Sequence, residues 1–146
     1  MKISIGCDHG AFALKNKIVA HLEKKGYEVK DCGTYSLDSC DYPEFAGAAA
    51  KAVASGECEK GIVLCTTGIG VSITANKVNG IRCALLSDVQ SAKLTRLHND
   101  TNMMALGACI VKDSLALEIV DTWLSTEFSG EERHQRRIDK VMALEK

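Results

Sequence analysis

The pattern of the chain predicts an α/β fold: a five-stranded parallel sheet with helices on both faces, and one extra helix after the last strand. Two observations carry this. Five short β-branched or apolar runs alternate with longer helical patterns along the whole sequence, the signature of βαβ units. At 146 residues the chain suits a single domain, 1–146, and no repeat, low-complexity segment or linker divides it.

The elements follow in order. Residues 2–7, KISIGC, read as the first strand. Ala11, Leu14, Ile18 and Leu22 then recur three or four apart, a helix that Gly26 stops. A second strand is read at 27–32. The second helix starts at Pro43, the only proline, in the first-turn position where its missing N–H costs nothing. It runs through an alanine-rich stretch to Gly56. The third strand, 61–65, leads into a helix from Gly70 to about Lys77. The fourth, 81–86, leads to Ser87 and Asp88, either of which can cap a helix ending near Asn99. The last strand is read at 104–111. A fifth helix groups Ala116, Ile119, Val120 and Trp123, and a final one from about Gly130 groups Ile138, Val141 and Met142.

Open parallel sheets bind ligands beyond the carboxyl ends of their strands. That rule selects four tips: 7–10 (CDHG), 32–34 (CGT), 65–70 (CTTGIG) and 87–88 (SD).

Composition narrows the partners. The chain is 46% hydrophobic and 25% charged with a formal net charge of −1, ordinary for a globular protein and unsuited to a nucleic-acid surface. The opening MKISIG has no n-region or h-region of a signal peptide. No apolar run approaches the ~20 residues of a membrane span. A cytoplasmic location is expected. Seven cysteines, at 7, 32, 40, 58, 65, 83 and 109, include no C-x-x-C pair. They read as reduced thiols, mostly small buried hydrophobes, rather than a disulfide framework or a zinc site.

The stretch LCTTGIGVSI at 64–73 carries most of the chemistry. It is no P-loop, because no glycine is followed by Lys and then Ser or Thr. It fails the dinucleotide fingerprint, since Ile73 stands where a third glycine belongs. It also lacks the arginine of a cysteine-dependent phosphatase loop, because position 71 is Val71. What remains is a glycine-rich turn from strand to helix, whose N–H groups can converge on an anion, with Thr67 and Ser72 adding hydroxyls. Cys65 at its mouth is either a reactive thiol or a buried one beside a structural turn.

Three further clusters each have two readings. Asp8 and His9 can cap the first helix or line a polar sugar site; three adjacent residues suit a metal poorly. His98, Asn99 and Asp100 close the fourth helix, where His98 either offsets the helix dipole or lines a cleft. Arg133 and Arg137, four apart on the last helix, either stay solvated or grip one phosphate.

Taken together, GCDHG at 6–10, DYP at 41–43, LCTTGIGVSI at 64–73, ANK at 75–77, GIR at 80–82, HNDTN at 98–102 and RHQRR at 133–137 resemble the type-B ribose-5-phosphate isomerases, in the family that also holds allose- and galactose-6-phosphate isomerases. The motifs span nearly the whole chain in order. The resemblance implies a three-layer α/β/α sandwich, Rossmann-like, with a five-stranded parallel sheet. It implies an aldose–ketose isomerase that interconverts ribose 5-phosphate and ribulose 5-phosphate, a pentose phosphate pathway step, through a cis-enediolate. No metal or organic cofactor is implied.

By the same resemblance Cys65 is the base, and the turn through Gly68, Ile69 and Gly70 toward Ser72 is the anion hole. His98 and Thr67 open the sugar ring. Asp8 holds the sugar, Tyr42 lines the pocket and Asn99 stabilises the enediolate. Arg133, Arg137 and His9 hold the phosphate. The assembly implied is a homodimer or a dimer of dimers, with the site shared between subunits and His98 and Asn99 coming from the second one. Two other readings stand beside this one: an isomerase of a six-carbon sugar phosphate, and a non-catalytic sugar-phosphate or nucleotide-binding module. Thr66 departs from the glycine or serine of many relatives. A β-branched residue disfavours positive φ, so the turn must hold position 66 in an ordinary conformation.

Overall fold

Side chains alternate across each strand, and in the central strands this alternation feeds two separate apolar layers. The computed structural model describes residues 1–145; Lys146, the last residue of the expected domain, lies outside them. The strands are β1 (Lys2–Cys7), β2 (Glu28–Asp31), β3 (Lys60–Cys65), β4 (Cys83–Leu85) and β5 (Met103–Gly107), and the helices are α1 (Phe12–Lys24), α2 (Tyr42–Ala54), α3 (Ile69–Asn76), α4 (Val89–Asn99), α5 (Asp113–Ser125) and α6 (Glu132–Met142). All strand pairs are parallel, in the order β2-β1-β3-β5-β4. This is the α/β fold that the sequence predicts.

Ile3, Ile5, Ile62, Leu64, Met104 and Leu106 pack with Ile18, Leu22, Ala92, Ile119 and Trp123 from α1, α4 and α5. Val63, Cys65, Met103 and Ala105 pack instead with Ala46, Ala49, Val53, Val71 and Ala75 from α2 and α3. Small alanines on α2 let that helix sit close to the sheet, and Ser4 Oγ donates to the Ala49 carbonyl at 2.9 Å.

The differences from the sequence reading are local. The first helix is entered through a short 3₁₀ turn, His9–Ala11. The fourth strand shrinks to three residues because Arg82, at its entry, bonds to Asn102: Arg82 N–H donates to Asn102 Oδ1 at 2.8 Å. The last strand ends at Gly107, short of the expected residue 111. Beyond it, Ile110 and Val111 N–H groups both fold back onto the Gly107 carbonyl. Val111 is buried there in the core, whereas Ile110 of the same apolar run is exposed. Asp88, not Ser87, caps α4, accepting from Ser91 N–H at 2.6 Å.

All seven cysteines are free thiols; Cys7, Cys58 and Cys65 are buried, Cys32, Cys40 and Cys83 half-buried, and Cys109 exposed. The expectation that most are buried thus holds only for those on the central strands and beneath α2. Among the described residues no helix is long and apolar enough to cross a membrane.

Candidate active site

The chain leaves β1 outward to β2 and then crosses back to β3 on the other side of β1. This reversal opens a crevice at the carboxyl ends of β1 and β3, which brings residues 8–10 beside residues 65–70. Asp8 N–H donates to the Leu64 carbonyl at 3.2 Å, tying the two tips together. A Cβ on Gly10 would collide with Thr66 Oγ1, so the tips also meet through that hydroxyl. Thr66 itself keeps negative φ, since Asp100 is the one non-glycine residue with positive φ among those described. The reversal of the turn falls instead on Gly68, at φ 79°.

Cys65 ends β3 facing the α2–α3 layer, and Gly68 N–H donates to its Sγ at 3.1 Å. No side chain caps α3, so its leading N–H groups remain available to an external anion, apart from Ile69 N–H, which donates to Thr67 Oγ1 at 3.3 Å. Ser72 sits one turn into the helix, its hydroxyl donating to the Ile69 carbonyl at 2.7 Å. Tyr42 lies over the turn: a Cβ on Gly70 would stand 2.6 Å from Tyr42 Cζ. Asp8 Oδ1 accepts from Ala11 N–H at 3.2 Å, the capping role, while the carboxylate stays at the crevice. His9 Nδ1 accepts from Cys40 N–H at 3.3 Å, which leaves Nε2 as the donor of the neutral ring. Cys7, one strand away, is fully buried, and burial pushes its thiol up to about 11. It is an inert core thiol.

The second group of expected residues gathers elsewhere. A cavity of about 940 Å³ is lined by His98 and Asn99 from the end of α4, His134, Arg137 and Ile138 from α6, and Arg82 and Cys83 at the entry to β4. His98 and His134 stack, with ring centroids 4.4 Å apart. Asp100, left-handed at φ 45°, closes α4. Two arginines hold this turn. Arg82 donates to the carbonyls of Asn99 at 3.0 Å and Asp100 at 2.7 Å; Arg96 donates to Asp100 Oδ1 at 2.9 Å and the Thr101 carbonyl at 2.6 Å. Both arginines are exposed; Arg137 lines the cavity, and Arg133 pairs with Glu131 at 2.9 Å.

The sheet register separates the two groups. Cys65 pairs with Gly107 at one end of β5, and Gly61 pairs with Met103 at the other, where the chain arrives from α4. Four residues at ~3.3 Å each put about 13 Å of strand between those levels. Cys65 and His98 therefore lie toward opposite ends of the sheet. His134 and Arg82 escape the sequence reading, although both sit inside the quoted motifs RHQRR and GIR. The three-residue spacing of His134 from Arg137 is the signal that places both on one helix side.

The family model described as Ribose/Galactose Isomerase matches residues 3–141. Ribose-5-phosphate isomerase B of Escherichia coli (strain K12) is 50% identical over 144 residues, covering 99% of this chain and 96% of that protein. The solved structure of Clostridium thermocellum ribose-5-phosphate isomerase B is 52% identical with a TM-score of 0.97, covering 99% of this chain and 97% of that one. Galactose-6-phosphate isomerase subunit LacB of Clostridium acetobutylicum is 42% identical over 141 residues, covering 97% of this chain and 82% of that protein.

Proposed function

Because this chain belongs to the ribose/galactose isomerase family, we propose that it interconverts ribose 5-phosphate and ribulose 5-phosphate, with Cys65 as the base. The observation that carries the reading is the hydrogen bond from Gly68 N–H to Cys65 Sγ at the start of the uncapped helix α3. It sets a sulfur base beside an anion-stabilising turn. Cys65 removes the proton from C2 of the open-chain aldose, and a proton from the thiol, where it can exchange with solvent, is delivered to C1. The enediolate between them carries its charge on oxygen, where the first N–H groups of α3 and Asn99 meet it. The oxidation of one carbon balances the reduction of its neighbour, so the reaction calls for no cofactor. His98 and Thr67 open the furanose ring, while Asp8 holds a sugar hydroxyl and Tyr42 covers the turn. His9, Arg133 and Arg137 take the phosphate, and anchoring that non-reacting end orients the reacting carbons.

The site is shared in this reading. With Cys65 and His98 toward opposite ends of one chain, His98, Asn99 and Arg137 come from a second copy, and a homodimer is the smallest active unit. Ile69 and Ile73 on α3, and Leu85 beside Gly68, are exposed around the turn, an apolar rim of the kind a second copy covers. Seven unpaired cysteines suit the reducing cytoplasm.

The galactose-6-phosphate relative keeps a six-carbon substrate as the second reading. A coupled assay with ribose 5-phosphate, allose 6-phosphate and galactose 6-phosphate side by side separates the two. Fastest turnover of ribose 5-phosphate, abolished in Cys65→Ala with the fold intact, is the expected result. Preference for a hexose phosphate would move the assignment within the family. No turnover of any sugar would make the chain a binding module.

A further inference from the structure

The imidazole of His134 lies flat against that of His98, with ring centroids 4.4 Å apart and planes 18° from parallel. Among the described residues no hydrogen bond holds the His98 ring, and the stack on His134 is the ring contact it makes. His134 is itself well anchored. It is 5% exposed, and its Nε2 stands 3.4 Å from Glu131 Oε2. That same oxygen accepts from Arg133 Nε at 2.9 Å. Glu131 is the N-cap residue of α6, its carbonyl accepting from His134 and Gln135 N–H, which fixes its backbone beside His134, while Arg133 holds its carboxylate. Burial first, then the nearby Arg133 and His98, hold His134 below the ordinary histidine range. The neutral ring can stack on His98 without placing two like charges face to face.

We propose that His134 is a positioning residue for His98: its ring, backed by Glu131, sets the plane in which His98 meets the sugar during ring opening. The inference rests on the isomerase reading and deepens its first step. In that step the bond from C1 to the ring oxygen breaks, the ring oxygen gains a proton, and the C1 hydroxyl loses one to give the aldehyde. A general acid or base in such a transfer must lie within hydrogen-bond reach of its target. An imidazole free to tilt and rotate loses that reach, and a displacement of about 1 Å is enough to cost about 10²-fold in rate.

The test compares His134→Ala and His134→Phe with the unmodified protein and Cys65→Ala. Two reactions are followed for each. One is turnover of ribose 5-phosphate, which must be opened. The other is uptake of solvent deuterium at C1 of ribulose 5-phosphate, an open-chain ketose whose enolisation bypasses the ring step. His134→Ala should lower kcat from ribose 5-phosphate by about 10- to 100-fold, with KM within about twofold and deuterium uptake retained. His134→Phe, which restores a flat face, should recover most of the loss. Unchanged kcat in His134→Ala, equal loss of both reactions, a raised KM with kcat intact, or Phe no better than Ala would each overturn the proposal. If the alanine variant does not fold, His134→Gln against His134→Phe gives the same contrast. Should Cys65→Ala still exchange deuterium while His134→Ala fails only from the aldose, the base assignment falls and the positioning role stands.

Discussion

Gly68 gives its amide proton to the sulfur of Cys65 at 3.1 Å, from a backbone held at φ 79°. Both the bond and the conformation depend on the absence of a side chain. A Cβ there would stand 2.8 Å from the Leu106 carbonyl carbon and 2.9 Å from Gly107 N, and the left-handed region costs a non-glycine residue about 1–2 kcal/mol. Gly68→Ala should therefore lower unfolding stability by at least that much and depress isomerisation further than stability explains. Urea unfolding and steady-state turnover on the same preparation check both; a stable and fully active variant would remove the turn from the mechanism.

Cys65 and His98 act from different chains if the shared site is right. Cys65→Ala and His98→Ala should each be inactive alone. Dissociated, mixed and reassociated, they should recover about a quarter of wild-type activity, since half the dimers are mixed and each mixed dimer holds one intact site. Recovery near zero at full mixing would place both residues in one chain's site.

Arg137 lines the cavity beside His98, whereas Arg133 is tied to Glu131. Arg137→Ala should raise KM for ribose 5-phosphate by about 10- to 100-fold, the worth of a charge-assisted hydrogen bond to phosphate, with a smaller effect on kcat. An unchanged KM would return this face of α6 to solvent.

Burial raises the Cys7 thiol from 9.0 to about 11. The folded state thus binds this proton more tightly than the unfolded state does. The resulting stability is complete below about pH 9 and is lost as pH rises toward about 11. Unfolding midpoints measured from pH 8 to 11 should fall, and Cys7→Ala should flatten that slope whatever its effect on the midpoint at pH 8. An unchanged slope would assign the alkaline loss to other groups.

The strand tips and the identity of the chemistry were legible in the sequence because they are local. Period-two runs ending in CDHG and CTTGIG announce strands that deliver polar residues to one end of a parallel sheet, and Gly68 is visible as the only residue type suited to the turn it makes. The strand order was not legible. Nothing in 81–86 says that β4 takes the edge, or in 104–111 that β5 inserts between β3 and β4 and stops at Gly107. The roles of Arg82 and His134 were not legible for the same reason: their partners, the carbonyls of Asn99 and Asp100 and the ring of His98, lie 17, 18 and 36 residues away in sequence.

The sequence alone determined the fold class, the crevice at Asp8 and Cys65, and the family to which those motifs belong. Each depends on periodicity, capping and residue type within short spans, which local backbone physics reads directly. Only the tertiary structure decided that Cys65 and His98 occupy opposite ends of the sheet, that Arg137 lines the cavity beside His98 while Arg133 pairs with Glu131, and that the ring of His134 stacks on that of His98. Those facts depend on how α4 and α6 pack across the sheet, and packing between distant segments is set by the fit of whole faces rather than by any one stretch of residues.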